Sequence, residues 1–237
     1  AAAVGENLGT PEQKVYTGTV GQLAASRFES LSVLLVEAAQ VPSRRTQGLP
    51  DEAFARGKVP MTKQEVRAAV LAKLGVQPGE LLWDVGAGTG SVSVELALAA
   101  PRGRVYAVEC DPEACALIRQ NKEKFAVRNL TLVEGTAPAA LENLPAPDAV
   151  FIGGTKGNMA AVVEAALARN PAARICISAI ALETLSAAVA ALTAHGLQAE
   201  VCQISVSRAK AAGKLHLLMA NNPIFLITRA DEAEKSV

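Results

Sequence analysis

Aromatic residues make up only 3% of the 237 residues. So few rings argue against a stacking platform for single-stranded nucleic acid. An excess of either charge is missing as well, because 23 Lys and Arg offset 23 Asp and Glu. A protein that coats nucleic acid or an anionic membrane favours a basic surface, so neither partner is expected, although a local basic patch is still allowed. No apolar run reaches the roughly 20 residues of a membrane span. The N-terminus has no basic region followed by an apolar segment, so no signal peptide is expected and the location is read as cytoplasmic. Cysteine pairs at CxxC spacing are absent. Cys110, Cys115, Cys176 and Cys202 stand apart, and two histidines leave little to complete a zinc site. The expectation is free thiols and no metal, with Cys176 and Cys202 inside apolar, strand-like runs.

What is present is a foldable composition, 50% apolar and 19% charged. From residue 79 onward, short apolar runs at 81–85, 104–109, 130–133, 149–152 and 174–177 alternate with helical stretches. These stretches lie at 91–100, 112–125, 138–141, 158–169 and 182–195. Strand–helix alternation means βαβ units, hence a parallel sheet covered on both faces. After His195 the alternation stops, and runs at 198–206 and 224–228 follow with a loop between them. The expected fold is α/β, Rossmann-like and doubly wound. Its sheet is mostly parallel and seven-stranded, with an antiparallel edge hairpin.

A helix is expected over 66–74, ahead of the first core strand. Residues 41–58 show prolines, glycines and paired arginines without a period, and read as a linker or arm. The main domain spans 59–230, and 231–237 is a tail. Residues 1–40 differ from the rest. Strand-like runs at 14–19 and 31–36 with a helix-like turn between them bury little surface alone, so this piece docks elsewhere or belongs to something larger.

One motif carries chemistry. Gly86, Ala87, Gly88, Thr89 and Gly90 follow the strand Leu81-Leu82-Trp83-Asp84-Val85 directly and precede a helix. A dinucleotide fingerprint wants GxGxxG, but residue 91 is Ser; a phosphate-binding Walker loop wants Gly-Lys-Ser/Thr, which is absent. Glycines permit the tight turn and let a ligand approach the backbone. The following helix N-terminus offers free N–H groups that suit the methionine carboxylate of S-adenosyl-L-methionine (SAM). Glu109 ends the second strand, 23 residues beyond Gly86, where an acid can accept from both ribose hydroxyls. Gly135, Thr136 and Ala137 end the third strand and should face the adenine. Where many methyltransferases carry an acid at position 136, a hydroxyl or a backbone N–H has to serve.

At this point the residues resemble a specific family. Pro60-Met61-Thr62-Lys63-Gln64-Glu65-Val66-Arg67, the 84–90 loop, Gly135-Thr136-Ala137-Pro138-Ala139-Ala140-Leu141, Phe151-Ile152-Gly153-Gly154 and Ala181-Leu182-Glu183-Thr184 are similar to the decarboxylating precorrin carbon-15 methyltransferases of cobalamin biosynthesis. The resemblance implies a SAM-dependent enzyme that releases S-adenosyl-L-homocysteine (SAH), methylates carbon 15 of a precorrin or cobalt-precorrin, and decarboxylates its ring C acetate. It implies cofactor contacts at Thr62, the glycine loop, Glu109 and Ala137, and a homotetramer. For decarboxylation Glu183 is a candidate, set against its role as an acid at a helix N-terminus. Residues 5–37 resemble the end of the tetrapyrrole methylase domain that precedes this enzyme in fused versions.

The substrate of that family bears many carboxylates and should meet cations. Between residues 201 and 230 there is no acid, while Arg208, Lys210 and Lys214 fall in the expected hairpin loop. They are the candidate substrate-binding residues, against the alternative of a solvated charged loop. Two other functions stay open: a SAM methyltransferase acting on RNA or protein, and a catalytically silent SAM-fold subunit.

Overall fold

Contacts within the chain divide it into two units, residues 1–44 and 45–237. The computed structural model describes residues 1–37 and 47–230. The first residues of the expected linker and the 231–237 tail lie outside the described residues.

In the first unit, strand β1 (Ala2–Glu6) lies between β2 (Lys14–Gly18) and β3 (Ser32–Val36), antiparallel to both. Helix α1 (Val20–Ala24) starts from Thr19, which forms a capping box with Gln22. Strand β1 was not expected, because its small residues carry no β-branched run; pairing on both edges supplies its backbone bonds instead. Buried Glu6 accepts from the Tyr16 hydroxyl at 3.2 Å and from the Glu29 N–H at 2.7 Å. The apolar core is small: Ala2, Val4 and Leu23, with Phe28 beside them. Val33, Leu34, Leu35 and Val36 are all exposed. Three strands over so small a cluster lack the buried face that gives a sheet independent stability.

The second unit opens with an irregular segment that the sequence reading took for a linker or arm. From residue 47 on it is part of the fold. The Gly48 and Leu49 N–H groups donate to the Glu95 carboxylate at 2.8 and 3.0 Å, and the Ala55 N–H donates to Asn121 Oδ1 at 2.7 Å. A single 3-10 turn at Asp51–Ala53 buries Asp51 and leads into buried Phe54. Helix α2 (Gln64–Leu74) then begins two residues earlier than expected. The Gln64 N–H donates to Asp51 Oδ1 at 2.9 Å, so this helix is capped from 13 residues upstream.

The alternation expected from residue 79 is present. In order come β4 (Leu81–Val85), α3 (Ser91–Ala99), β5 (Arg104–Glu109), α4 (Pro112–Lys124), β6 (Leu130–Glu134), β7 (Ala149–Ile152), α5 (Met159–Arg169), β8 (Arg174–Ala179) and α6 (Leu182–Ala194). Only a 3-10 turn, Ala139–Leu141, fills the stretch read as a fourth helix at 138–141. Strands β9 (Ala199–Ile204), β10 (Ser207–Ala212), β11 (Leu215–Ala220) and β12 (Ile224–Arg229) complete the chain. The main sheet has seven strands in the order β6-β5-β4-β7-β8-β12-β9. Strands β4 to β8 pair in parallel, and β12 runs antiparallel to both β8 and β9.

Parallel strands are buried on both faces, which is why these runs are apolar without a gap. Leu82 packs with Val70 and Leu71 of α2, Leu96 of α3 and Ile118 of α4 on one side. Trp83 and Val85 pack with Val162 of α5 and Leu192 of α6 on the other. Burying each such side chain contributes roughly 1.5–3 kcal/mol.

One expectation needs correction at the sheet edge. The segment between β9 and β12 is not a loop but a separate two-stranded ribbon, β10–β11, turning at Gly213. All of it except Arg208 is exposed. With no buried face, its alternation gave the sequence reading nothing to detect. Arg208 and Lys210 are therefore strand residues, and only Lys214 sits in the turn. All four cysteines are free, but Cys202 in β9 is half-buried, whereas Cys176 is buried in β8 and desolvation pushes its thiol up to about 12.

Candidate active site

The residues singled out in the sequence converge at the carboxyl ends of β4, β5 and β6, where open α/β sheets bind ligands. Gly86, Gly88 and Gly90 all have left-handed backbones, with φ of 72°, 55° and 73°. At Gly86 the need for glycine is twofold, since a Cβ there would lie 2.3 Å from the Gly154 carbonyl oxygen. The Phe-Ile-Gly-Gly run that ends β7 is thus the partner of the glycine loop: two backbones touch where no side chain fits. On the loop's other flank, a Cβ at Gly88 would lie 3.1 Å from the Pro60 carbonyl oxygen.

Glu109 closes the loop from the end of β5. One carboxylate oxygen accepts the Gly88 N–H at 2.9 Å, and the other accepts those of Cys110 and Asp111 at 2.8 and 2.9 Å. These bonds hold the carboxylate at the rim of a cavity of about 840 Å³. Thr62, Gly86, Ala87, Gly88 and Thr89 line that cavity, as do Glu109 and the Gly135, Thr136 and Ala137 turn. Gly90 does not; it is the N-cap of α3.

Asp84 lies beneath the loop, fully buried and bonded to the Ser93 hydroxyl. Lost hydration pushes its carboxyl from 3.8 up to about 7, with the Glu109 charge adding and the Ser93 hydrogen bond opposing. The folded protein therefore holds a proton that the unfolded chain releases near pH 4. Its stability should fall between about pH 4 and 7, by on the order of 4 kcal/mol, and level off above. Asp84→Asn should flatten that slope in urea unfolding at pH 5 and pH 8; an unchanged slope would contradict the assignment.

The remaining sequence candidates lie elsewhere. Glu183 is exposed in the first turn of α6 and does not line the cavity, although Ala181 and Thr184 beside it do. None of Arg208, Lys210 and Lys214 lines the cavity either. The Arg208 guanidinium is engaged by Glu65 at 2.6 and 3.2 Å and by Asp51 at 3.1 Å, so its charge is already matched within the protein. Sequence reasoning missed Lys63 and Lys156, which line the cavity along with Ser178 and Asn221. The rule that ligands bind outside strand carboxyl ends could have pointed to the loop after β7 and hence to Lys156.

The cradle fits a nucleoside that carries a carboxylate. Glycines clear the backbone, Glu109 presents an acid at the end of β5, and buried Thr89 Oγ1 has no hydrogen-bond partner among the described residues. A doubly wound sheet in this strand order, with this first turn and this acid, defines a class I, Rossmann-like SAM-dependent methyltransferase.

The precorrin methyltransferase domain family matches residues 52–229. A probable cobalt-precorrin-6B C(15)-methyltransferase (decarboxylating) from Pyrobaculum calidifontis is 47% identical over 186 residues, covering 77% of this chain and 95% of the relative. A precorrin-6Y C(5,15)-methyltransferase [decarboxylating] from Sinorhizobium is 41% identical over 165 residues, covering 68% of this chain and 40% of the relative. Among solved structures, precorrin-6y C5,15-methyltransferase from Geobacter metallireducens superposes with a TM-score of 0.75 at 40% identity, over 79% of this chain and 98% of that one. The chain belongs to the precorrin methyltransferase family.

Proposed function

We propose that this protein methylates carbon 15 of a precorrin-6B-type tetrapyrrole and decarboxylates its ring C acetate, a step of cobalamin biosynthesis. The observation that carries the reading is that one cavity holds two surfaces. The glycine cradle with Glu109 forms one end, and Ile180, Ile204, Val206 and Ile224 supply an apolar wall that suits a flat macrocycle. The names of the relatives support the same substrate and the same coupled loss of carbon dioxide.

When bound, SAM supplies an electrophilic methyl group on its sulfonium. In this reading Glu109 accepts from the ribose hydroxyls, and the loop N–H groups with the α3 N-terminus meet the methionine carboxylate. Gly135, Thr136 and Ala137 flank the adenine, and Thr62 closes the site from the segment before α2. Methyl transfer needs alignment more than acid–base help, and a rigid cradle supplies alignment. Glu183 lies outside the cavity, so the reading leaves it the role of a helix-terminal acid.

SAH titration by calorimetry is the test. Glu109→Ala should weaken binding tenfold or more, since hydrogen bonds to a charged group are worth about 1.5–3 kcal/mol. No binding by the wild type would favour the silent-subunit alternative.

Three further proposals accompany this reading. Residues 1–40 are the tail of a preceding tetrapyrrole methylase domain; the exposed apolar residues of β3 and the 40% share of the longer Sinorhizobium relative support it. The assembly is a homotetramer, supported by exposed Leu215, Leu217, Leu218 and Met219 on the ribbon. The location is the cytoplasm; no described helix is long and apolar enough to cross a membrane.

A further inference from the structure

The geometry points to Lys63 and Lys156 as the pair that binds the carboxylates of the substrate, in place of the ribbon cations that the sequence suggested. The inference rests on the tetrapyrrole reading, because it concerns how a polycarboxylate is held in that cavity.

Four residues lining the cavity carry charge: Glu109, Asp111, Lys63 and Lys156. The two acids are committed to backbone N–H groups, Glu109 at the glycine loop and Asp111 as the N-cap of α4. Their negative field would repel a polyanion, and the two lysines offset it. Both lysines sit on the segments that clamp the glycine loop. Lys63 follows Pro60, whose carbonyl abuts Gly88, and Lys156 follows Gly154, whose backbone abuts Gly86. They therefore sit on the two segments that press against the glycine loop.

Neither lysine forms a salt bridge among the described residues, in contrast to Arg208. Lys156 contacts the Cys110 thiol, a weak partner that an incoming carboxylate would replace. Its backbone is also unusual. Lys156 has φ of 50°, a left-handed conformation that costs a non-glycine residue energy. Residues held in this region persist where the surrounding structure over-determines them, and they cluster at ligand clamps. With Ile180 exposed on the apolar wall, the cavity pairs a surface for a ring face with two cations for its acidic side chains.

The test compares wild type, Lys63→Gln, Lys156→Gln, the double variant and the matching Lys→Arg variants. Each is assayed for the KM of a precorrin-6B-type tetrapyrrole at two salt concentrations and for SAH affinity by calorimetry. Each glutamine variant should raise that KM about tenfold, as expected for losing one charge-assisted contact. The double variant should show a flatter salt dependence, because fewer charges remain to be screened. SAH affinity should stay within about twofold, and the arginine variants should keep most of the wild-type KM. An unchanged KM in the double variant would overturn the inference. So would a parallel loss of SAH affinity, which would assign the lysines to the cofactor carboxylate. A wild type that binds SAH but methylates no such tetrapyrrole contradicts the functional reading itself, and the inference falls with it.

Discussion

Arg67→Met is expected to lower the free energy of unfolding by about 3–5 kcal/mol, the cost of breaking a buried ion pair from one side. The Arg67 side chain is fully buried, with Nε 2.8 Å from Glu95 and one terminal nitrogen 2.8 Å from Asp51. It also donates to the carbonyl oxygens of Thr62 and Leu49 and lies 4.6 Å over the Phe54 ring. Burial alone would push the Asp51 carboxyl up; hydrogen bonds to and the charge of Arg67, then Arg208, bring it below its ordinary value. Methionine fills space but leaves the buried Glu95 carboxylate without its cation and Asp51 with Arg208 alone. Adding Asp51→Asn and Glu95→Gln should restore part of the loss, because fewer uncompensated charges remain. Urea midpoints of the single and triple variants decide this. A loss under about 1 kcal/mol for Arg67→Met would mean that the network contributes little. Since Arg67 also fixes the carbonyl of Thr62, the single variant should weaken SAH binding along with stability.

Gly86→Ala should be the more damaging change to cofactor binding. The left-handed backbone alone costs alanine about 1–2 kcal/mol. The added Cβ would also lie 2.3 Å from the Gly154 oxygen and 2.7 Å from its nitrogen, so backbone must move. That movement would part the two loops that together line the cavity. SAH affinity should fall at least about a hundredfold, equivalent to some 3 kcal/mol. Gly88→Ala, whose Cβ lies 3.1 Å from Pro60, should be milder in both melting temperature and SAH affinity. Equal affinity for the Gly86→Ala variant and the wild type would contradict the cradle.

Much of this was legible because it is local. The β4 strand, the glycine loop and α3 follow one another within about twenty residues, and Glu109 ends the next strand; spacing alone carries that message. The sheet's apolar runs were equally plain, since strands buried on both faces leave no polar gap. What escaped is what depends on distant partners. The start of α2 is set by Asp51, and the fate of Arg208 by Glu65 and Asp51, acids 143 and 157 residues away in sequence. Arg208, with no acid near it in sequence, therefore looked free when it was not. Lys63 and Lys156 drew no notice because a lysine acquires meaning only from the cavity that the fold wraps around it. The glycine pair after β7 was visible as a resemblance, but its reason, a backbone pressed against Gly86, needed three dimensions.

In the proposed function, one cavity couples methylation of a tetrapyrrole to its decarboxylation. The most direct measurement incubates the protein with a precorrin-6B-type substrate and methyl-labelled SAM, and follows label uptake and carbon dioxide release together. Label should enter the macrocycle at carbon 15, with one carbon dioxide released per methyl group transferred. Label that stays in SAM while SAH still binds, or methylation without carbon dioxide release, would contradict it.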